Sequence, residues 1–359
     1  MESMGLKEFY KDKNVFVTGH SGFKGSWLCI FLSQLGAKIT GYSLPPNSQP
    51  NLYNLSCIEN SINSKTHDIR DYKALYDALH QCNPDVIFHL AAQPLVRYSY
   101  NNPIETYETN IMGTNNILHA AQDLKNIRAI INITTDKCYE NNDLKKKYIE
   151  DDKLGGHDPY SSSKACSEII TSSYKKSYYE KLNIGVATAR AGNVIGGGDF
   201  SEDRIIPDLI RSIINNKPIE IRNPSSTRPW QHVFDVLYGY LILGKNLYNN
   251  PQKFSEAYNF SPQEKNEVKV IDLIDSFIKN IGKGSYEINI DKNSPHESKF
   301  LQLNSNKAIK ELKWNAKYDI ESTVKASSFW YTNYISDKNI ANVSSKQVSD
   351  YINLHNKGM

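Results

Sequence analysis

Disulfide signals and membrane segments are the first features that this sequence lacks. Its five cysteines are Cys29, Cys57, Cys82, Cys138 and Cys166. They are scattered without Cys-x-x-Cys spacing, mostly within apolar patterns, as is typical of reduced thiols. No apolar run approaches the length that spans a bilayer, and Met1 to Asp12 is polar, without the apolar core of a signal peptide. We therefore expect a soluble chain in the cytoplasm.

Strong charge, metal-ligand spacing and a serine-hydrolase motif are also absent. The net charge is only +3 over 359 residues, which does not indicate a nucleic-acid-binding surface. The nine histidines lie far apart, with no His-x-x-x-His and no paired Cys/His spacing, so we predict no metal site. No Gly-x-Ser-x-Gly elbow occurs, which argues against a serine hydrolase.

Short apolar runs alternate with amphipathic segments through the first half of the chain, a pattern typical of a parallel sheet with crossover helices. Strands are predicted at Val15 to Thr18, Lys38 to Tyr42, Ile62 to Thr66, Val86 to Leu90, Ala129 to Thr134 and Ile184 to Arg190. We predict an α/β fold in which residues 1–190 form a Rossmann-type doubly wound parallel sheet, continued by later segments. Residues 191–335 are expected to form a smaller mixed C-terminal substrate-binding domain, and residues 336–359 a polar tail that packs weakly or frays.

A glycine-rich turn follows the first predicted strand. Thr18-Gly19-His20-Ser21-Gly22-Phe23-Lys24-Gly25 separates that strand from an apolar helical pattern beginning at Trp27. In this context, backbone amides and a helix N-terminus can bind a pyrophosphate. The Gly-x-x-Gly-x-x-Gly spacing is looser than the dinucleotide fingerprint. A turn that only lets helix and strand pack closely is therefore the alternative.

Tyr160 and Lys164 stand four residues apart in a helix predicted from Asp158 to about Lys181. This spacing places both side chains on one face of the helix. A nearby ammonium favours the phenolate of a tyrosine, whose ordinary pKa is about 10, although the spacing also occurs by chance. Thr134-Thr135-Asp136-Lys137 follows the fifth predicted strand, at the carboxyl edge where ligands bind in open α/β sheets. We therefore expect catalytic groups there.

Together, the glycine turn, the Thr-Asp-Lys segment and the Tyr/Lys pair resemble the extended short-chain dehydrogenase/reductase superfamily. From about residue 10 to about 335 the chain is similar to the nucleotide-sugar 4,6-dehydratases, and among them to the branch that acts on CDP-linked glucose. The motifs that carry this likeness are Phe23-Lys24-Gly25, Ala92-Gln93-Pro94-Leu95-Val96-Arg97, Asp136-Lys137-Cys138-Tyr139-Glu140, Gly155-Gly156-His157-Asp158-Pro159-Tyr160 and Arg228-Pro229-Trp230-Gln231-His232.

The resemblance implies NAD as the cofactor and a nucleoside-diphosphate hexose as the substrate. The cofactor-binding positions that it implies are Gly19, Gly22, Phe23, Lys24, Gly25, Asp68, Ile69, Leu90, Ala91, Ala92, Thr109, Tyr160 and Lys164. The substrate-binding positions are Gln93, Arg97, Asn193, Arg204, Arg222, Arg228, His232 and His296. Arginine suits phosphate oxygens, although each arginine could equally form a surface salt bridge. Asp71 could contact adenine or cap the helix that begins near Tyr72.

The catalytic positions implied by the resemblance are Thr135, Asp136, Lys137, Tyr160 and Lys164. Tyr160 would take the proton of a sugar 4-hydroxyl, with Lys164 lowering its pKa and Thr135 bonding the same oxygen. The resulting ketone would acidify the C5 hydrogen, and Asp136 would protonate the departing 6-hydroxyl. The product would be a 4-keto-6-deoxy sugar for deoxysugar and surface polysaccharide synthesis. The resemblance further implies a homodimer formed by the helix near residues 104 to 122 and the Tyr160 helix, whereas packing within one chain is the alternative.

Two positions depart from the common family pattern. Ser43 ends the second strand, where NAD-preferring folds usually carry an acid, so NADP stays open. Lys137 stands where many dehydratases have the glutamate that removes the C5 proton. A lysine needs a lowered pKa for that task and could steady the enolate instead. A sugar-nucleotide 4-epimerase, a GDP-hexose or heptose dehydratase and a non-catalytic dinucleotide-binding regulator are the alternative functions.

Overall fold

The computed structural model describes residues 5–141, 146–262, 267–289 and 301–356. The strands are β1 (Asn14–Thr18), β2 (Lys38–Ser43), β3 (Asn63–Thr66), β4 (Val86–His89), β5 (Ala129–Ile133), β6 (Lys147–Tyr148), β7 (Gly185–Ala191), β8 (Val194–Ile195), β9 (Ile219–Ile221), β10 (Thr227–Pro229), β11 (Gln231–His232), β12 (Ala257–Phe260), β13 (Glu267–Lys269), β14 (Tyr286–Ile288) and β15 (Gln302–Leu303). Seven of them form one parallel sheet in the order β12-β7-β5-β4-β1-β2-β3. The predicted Rossmann-type parallel sheet is confirmed.

Helices connect and flank these strands. They are α1 (Leu6–Tyr10), α2 (Phe23–Gln34), α3 (Leu52–Leu55), α4 (Tyr72–Cys82), α5 (Val96–Asn101), α6 (Pro103–Tyr107), α7 (Gly113–Ala120), α8 (Pro159–Tyr174), α9 (Ile205–Ile214), α10 (Val233–Asn249), α11 (Pro251–Phe254), α12 (Val270–Ile281), α13 (Asn306–Leu312), α14 (Ile320–Ile335) and α15 (Ile340–Asn356). A π-helical turn, Glu108–Met112, joins α6 to α7, and another, Lys175–Tyr179, extends α8. Among the described residues, no helix is long and apolar enough to cross a membrane.

Both faces of the sheet are covered, because successive side chains of a strand point to opposite faces. Val15 and Val17 of β1 lie in the larger apolar cluster, together with buried residues of α2, α10 and α14. Phe16, between them, lies in a second cluster with residues of α4 and α7. Strands buried on both faces read as continuous apolar runs, which explains why β1, β4, β5 and β7 were recognised from the sequence.

The strand β12 was not predicted. It pairs with β7 at the edge of the sheet, and its four residues include the buried amide of Asn259. That amide accepts a hydrogen bond from Tyr139 Oη at 2.8 Å and donates to the carbonyl oxygen of Tyr148 at 3.0 Å. Asn259 interrupts the apolar pattern by which a buried strand is recognised. Its hydrogen-bond partners are distant in the sequence, so the sequence carries no local sign that this polar residue can be buried.

The region after β7 is mixed, as predicted. Short strands pair outside the main sheet, with β8 parallel to β11, β9 parallel to β14, and β10 antiparallel to β13. The chain then returns to the Rossmann core, because Trp314 and Trp330 are buried in the same cluster as β1. All five cysteines are free thiols.

The predicted weakly packed C-terminal tail is wrong. Residues 340–356 form α15, which packs against α2 and α14 and buries Ile340, Val348 and Tyr351. The Tyr351 ring makes edge contacts with Phe31 and Phe234, with centroids 6.0 and 5.5 Å apart. The buried apolar residues of this helix are widely spaced among polar ones, so a single apolar stripe is hard to recognise in the sequence.

The carboxylate of Asp235 joins α10 to α15 and is fully buried. Its Oδ1 accepts hydrogen bonds from Tyr351 Oη at 2.5 Å and from the Lys317 amide at 2.6 Å. Its Oδ2 has no hydrogen-bond partner among the described residues. Burial raises the pKa of Asp235 to about 6. Because the folded pKa lies above the ordinary value, this carboxyl favours folding most below about pH 4 and loses that contribution as the pH rises to about 6.

Replacement of Asp235 by asparagine is therefore expected to stabilise the protein at alkaline pH. The amide keeps the acceptor for Tyr351 but carries no buried charge, so the melting temperature at pH 8 should rise by about 2–4 °C. The gain should shrink as the pH falls from about 6 to 4. Thermal unfolding followed by circular dichroism measures both, with Asp77→Asn as an exposed control. A variant less stable than the wild type at pH 8 would contradict this interpretation.

Candidate active site

The end of β5 carries the first part of the site. Thr135 starts a 3₁₀ turn, Asp136–Cys138. Its Oγ1 donates to Asp136 Oδ1 at 3.0 Å and accepts from the Lys137 amide at 3.3 Å. Thr135 and Asp136 are both buried. A Cβ atom built on Gly192 would lie 2.7 Å from Asp136 Oδ2, so only glycine lets the chain after β7 approach this carboxylate. The sequence did not single out Gly192 for this role.

The helix α8 brings the second part to the same edge. Asp158 caps it by accepting a hydrogen bond from the Ser161 amide at 2.9 Å, and Pro159 occupies its first position. The Tyr160 amide donates to Ser99 Oγ at 3.2 Å. Lys164 Nζ donates to the carbonyl oxygen of Ile133, the last residue of β5, at 2.8 Å. The Asp158 cap and the hydrogen bond from Lys164 to Ile133 together hold the face of α8 that bears Tyr160 and Lys164 against the Thr135–Asp136 turn.

Tyr160 stands beside Thr135, Asp136 and Arg204. Burial raises the pKa of Tyr160 to about 12. Two interactions oppose this rise: a hydrogen bond between the hydroxyls of Tyr160 and Thr135, and the positive charge of Arg204. The predicted lowering of this pKa by Lys164 is therefore not seen in the chain by itself, because desolvation outweighs the favourable groups. Burial also lowers the pKa of Lys164 to about 8, with Glu168 opposing that shift.

Two cationic side chains, Lys137 and Lys24, act on the carboxyl of Asp136. Burial raises the pKa of this carboxyl, while Lys137, the Thr135 hydrogen bond and Lys24 oppose the rise. A carboxyl that keeps its proton to higher pH suits a general acid. Burial, then Arg204, lowers the pKa of Lys24 to about 8, with Asp136 acting in the other direction. Lys24 was predicted only as a cofactor ligand, because it lies inside the glycine motif. The structure also places its charge near the carboxyl of Asp136.

The glycine turn has the shape of a diphosphate cradle. Gly19 has a φ of +72°, and a Cβ atom there would lie 2.8 Å from the amide nitrogen of Ala91. A Cβ atom on Gly25 would lie 2.1 Å from the Gly19 carbonyl oxygen. Gly22 begins α2 without a side-chain cap, so the first amides of the helix remain available to an anion. The turn therefore permits close packing and anion binding at once.

The predicted loop after β4 lies beside this turn. The amides of Leu90 and Ala91 each donate to Thr18 Oγ1 at 3.1 Å, which holds residues 90–92 against the end of β1. Ala92 follows, half-buried. Phe23 lies on the other side, with its ring close to Gly196. Cofactor binding by these positions stays a prediction.

The positions predicted for adenine make local contacts. Asp71 caps α4 by accepting a hydrogen bond from the Ala74 amide at 3.0 Å, so its capping role is confirmed. Asp68 forms an ion pair with Arg70 at 2.6 Å. Ile69 is buried against Gly113. Adenine contact by Asp68 and Ile69 stays a prediction.

Thr109 and Ser43 complete the predicted cofactor edge. Thr109 lies in the π-helical turn before α7, a feature that often marks functional sites. The hydroxyl of Ser43 bonds Ser21 Oγ at 2.9 Å and His20 Nδ1 at 3.0 Å. The end of β2 is therefore neutral and internally bonded.

One of the predicted substrate residues, Arg204, acts on Tyr160, and two others, Arg97 and Asn193, contact neighbouring segments. Arg204 Nη1 bonds Asp199 Oδ2 at 2.9 Å, and its charge acts on Tyr160. Arg97, on α5, forms an ion pair with Asp203 at 3.2 Å, which joins α5 to the segment that bears Arg204. The carbonyl oxygen of Asn193 accepts from the Gln231 amide at 3.2 Å and keeps this asparagine beside β11.

The other predicted substrate residues are placed differently. Both halves of the Gln93 amide are engaged within its own region, with Nε2 donating to Thr106 Oγ1 at 2.9 Å and Oε1 accepting from the Leu95 amide at 2.6 Å. Arg222 is exposed. Arg228 lies in β10, with Nη1 donating to the Thr227 carbonyl oxygen at 3.1 Å. His296 lies outside the described residues.

The structure differs most from the prediction at His232. Its side chain is 1 % exposed and caps α10, with Nδ1 accepting from the Phe234 amide at 3.2 Å. The ring packs edge-on against Phe234 and Tyr318. Burial lowers the pKa of His232 to about 3. It is therefore a neutral core residue that caps the start of α10.

A Rossmann-type sheet with a glycine turn and a Thr/Tyr/Lys set at its carboxyl edge defines a dinucleotide-dependent short-chain dehydrogenase/reductase. More narrowly, residues 16–327 match the GDP-mannose 4,6-dehydratase family, and the chain belongs to that family.

Relatives agree with this assignment. The chain is 41% identical over 351 residues to the CDP-glucose 4,6-dehydratase of Salmonella typhimurium, covering 96% of this chain and 98% of that protein. It is 26% identical over 346 residues to the dTDP-glucose 4,6-dehydratase of the same organism, covering 88% and 92%.

Solved structures share the fold. The UDP-glucuronic acid 4-epimerase of Bacillus cereus, in complex with UDP-glucuronic acid and NAD, superposes with a TM-score of 0.76 at 24% identity, covering 90% of this chain and 99% of that one. The dTDP-glucose 4,6-dehydratase of Bacillus anthracis, in complex with NAD, superposes with a TM-score of 0.74 at 22% identity, covering 91% and 99%.

Proposed function

We propose that this chain is a lyase that converts CDP-glucose to its 4-keto-6-deoxy derivative with loss of water, as a step of deoxysugar synthesis for surface polysaccharides. The observation that carries the proposal is a buried acid, Asp136, beside Tyr160 and Thr135. An epimerase needs the tyrosine but has no hydroxyl to expel. Similarity over almost the whole of a CDP-glucose 4,6-dehydratase supports the nucleotide. The five free thiols suit the cytoplasm.

The cofactor in this proposal is NAD. Gly19, Gly22 and Gly25 would hold its diphosphate at the N-terminus of α2, with Lys164 near the nicotinamide ribose. The nicotinamide ring would supply a hydride acceptor for the sugar C4 and a hydride donor for C6, so the net redox change is zero.

Oxidation at C4 depends on proton transfer from the sugar. In the proposal, the Tyr160 phenolate accepts the proton of the 4-hydroxyl, and Thr135 bonds the same oxygen. Since burial raises the pKa of Tyr160, the surrounding cations must stabilise the phenolate for this step. Arg204 already acts in that direction.

Loss of water depends on groups around Asp136. The C4 ketone makes the C5 hydrogen acidic, and its removal leaves an enolate from which the 6-hydroxyl departs as Asp136 protonates it. Lys137 and Lys24 are the ammonium groups whose charges act on this carboxyl. We assign removal of the C5 proton to the neutral amine form of Lys137, on the same turn as Asp136, since only that form has a lone pair to accept the proton. We assign stabilisation of the enolate oxygen to the ammonium of Lys24.

A substrate panel tests the proposed function. Purified protein with NAD is incubated with CDP-, GDP-, UDP- and dTDP-glucose, and 4-keto sugar is detected by its absorbance in alkali. CDP-glucose should give the highest kcat/KM, by at least about tenfold. Best turnover of a GDP-hexose would overturn the choice of nucleotide, and a 4-epimer as product would show an epimerase. NAD binding without turnover of any sugar would indicate a regulator.

We also propose that the chain forms a homodimer through α6, α7 and α8. Large apolar side chains stand out on these helices and their extensions, with Ile104 74 %, Met112 49 % and Ile169 57 % exposed. Such a concentration of exposed apolar residues is typical of an interface.

Charge introduced on this surface is expected to separate the subunits. The double variant Ile104→Glu, Ile169→Glu places buried, unpaired carboxylates in the interface, so light scattering during gel filtration should show a monomer where the wild type is a dimer. Phe329→Glu, on α14 and 51 % exposed in the wild type, is the control and should leave the dimer intact. A monomeric wild type, or a double variant that stays dimeric, would contradict the assignment.

A further inference from the structure

A buried ion pair lies one helical turn beyond Lys164. Glu168 follows Lys164 by four residues, as Lys164 follows Tyr160, so the three side chains share one face of α8. Glu168 accepts two parallel hydrogen bonds from Arg190 of β7, from Nε to Oε1 and from Nη2 to Oε2, both at 2.9 Å. The two side chains are only 3 % and 4 % exposed. None of the reaction steps proposed above uses this pair.

Two threonines complete the environment of the carboxylate. Thr134 Oγ1 donates to Glu168 Oε1 at 2.5 Å, and Thr188 Oγ1 donates to Oε2 at 2.7 Å. Thr134 lies directly between Ile133, whose carbonyl oxygen accepts from Lys164 Nζ, and Thr135. Glu168 therefore ties α8 both to the end of β5 and to β7. Because the charges are paired and the carboxylate accepts four hydrogen bonds, the connection is stiff.

Arg190 extends the connection to the segment after Asp136. Its Nη1 donates to Tyr139 Oη at 2.6 Å and to the carbonyl oxygen of Glu150 at 2.9 Å. Tyr139 lies two residues beyond Lys137. The pair therefore contacts the helix that bears Tyr160 and both ends of the turn that bears Asp136.

We propose that Glu168 and Arg190 are positioning residues that fix Tyr160 and Lys164 at the distance from Thr135 and Asp136 at which a bound sugar reacts. This inference rests on the proposed function only in that the sugar must be oxidised at C4. Displacement of reacting groups by about 1 Å can cost on the order of 100-fold in rate, so a stiff tie between helix and strand has a direct effect on catalysis.

The pair also sets the charge around Lys164. Glu168 and Cys138 act to raise the pKa of Lys164 against burial. Among the described residues, Lys24 and His89 are further titratable groups that interact with this ammonium. Without the negative charge of Glu168, Lys164 would have the cation Lys24 nearby, and Arg190 would lose its ion-pair partner. The pKa of Lys164 would then fall further.

Two matched threonine variants separate positioning from stability. Thr134→Val and Thr188→Val each remove one hydroxyl from Glu168, but only Thr134 adjoins the catalytic turn. Both should lower the melting temperature of the chain without cofactor by a similar amount. Single-turnover C4 oxidation, followed by reduced-nicotinamide absorbance, should slow at least about tenfold in Thr134→Val and stay within about twofold of wild type in Thr188→Val, with KM little changed. Equal rates in the two variants would overturn the inference.

Charge variants test the electrostatic part. In Glu168→Gln, the alkaline limb of the pH–rate profile, where Lys164 loses its proton, should move down by about one pH unit. Arg190→Lys keeps the charge but loses the parallel bonds, so C4 oxidation should slow without a shift of that limb. An unshifted limb in Glu168→Gln would contradict the role in charge. If Glu168→Gln does not fold, Glu168→Asp takes its place. This variant keeps the negative charge, so the alkaline limb of its pH–rate profile should lie at the wild-type pH. A shifted limb in Glu168→Asp would contradict the effect of the Glu168 charge on Lys164.

C4 oxidation separates this inference from the proposed function. A dehydratase and an epimerase share that step. Wild-type protein that oxidises C4 but releases no water overturns the proposed function and leaves the comparison of the threonine variants valid. Wild-type protein that oxidises no sugar at C4 overturns both.

Discussion

Replacement of Tyr160 by phenylalanine is expected to lower kcat by about 10²–10⁴-fold, the range that a positioned proton-transfer group contributes. Phenylalanine keeps the ring but leaves no group to accept the proton of the 4-hydroxyl. Reduced nicotinamide should therefore not accumulate in a single turnover with CDP-glucose, while binding of the nucleotide sugar, measured by calorimetry, should change little.

Tyr174→Phe is the matched control for this experiment. Tyr174 lies at the end of the same helix, where its hydroxyl donates to Asn115 Oδ1 at 3.0 Å, away from the turn at the end of β5. It should retain wild-type kcat. A Tyr160→Phe variant with more than about a tenth of wild-type kcat would show that another group accepts the proton.

Replacement of Asp136 by asparagine is expected to abolish loss of water and to spare oxidation at C4. The amide fits the same space beside Gly192 and can still accept from Thr135, but its N–H protons are not acidic enough to be transferred to the departing hydroxyl. We expect formation of the 4-keto-6-deoxy product to fall by about 10²–10⁴-fold, with reduced nicotinamide building up because C6 never becomes an acceptor. Absorbance of reduced nicotinamide and of the alkaline keto sugar, recorded in one reaction, measures the two steps separately.

Asp71→Asn serves as the control for this variant, because asparagine caps a helix as well as aspartate and α4 begins far from the turn in the sequence. It should match the wild type in both signals. Native rates of product formation in Asp136→Asn would remove the general-acid role from Asp136. Loss of both signals would mean that the carboxyl already acts in C4 oxidation.

Much of the fold was predictable because its signals are local. The strands of a doubly wound sheet read as short apolar runs, since both faces are covered, and the glycine turn after β1 is recognisable because Gly19 and Gly25 leave no room for a side chain. The Tyr160/Lys164 pair and the Thr135–Asp136 turn could be placed at one edge from the parallel order alone.

Features that depend on distant partners could not be predicted. The strand β12 contains Asn259, which is satisfied by Tyr139 and Tyr148 more than a hundred residues away. The helix α15 is tied to α10 through Tyr351 and Asp235. His232 belongs to a motif that resembles a binding site, yet its environment shows a capped helix and aromatic packing. The raised pKa of Tyr160 follows from burial, a quantity that residue spacing does not contain.

The most direct test of the central claim is the fate of hydrogen at C4. CDP-glucose carrying deuterium at C4 is incubated with the wild-type protein and NAD, and the product is examined by NMR and mass spectrometry. If Tyr160 and Asp136 act on one bound sugar as proposed, the label leaves C4 and appears at C6 of a 4-keto-6-deoxy sugar. A 4-epimer with deuterium still at C4, or unchanged substrate, would contradict it.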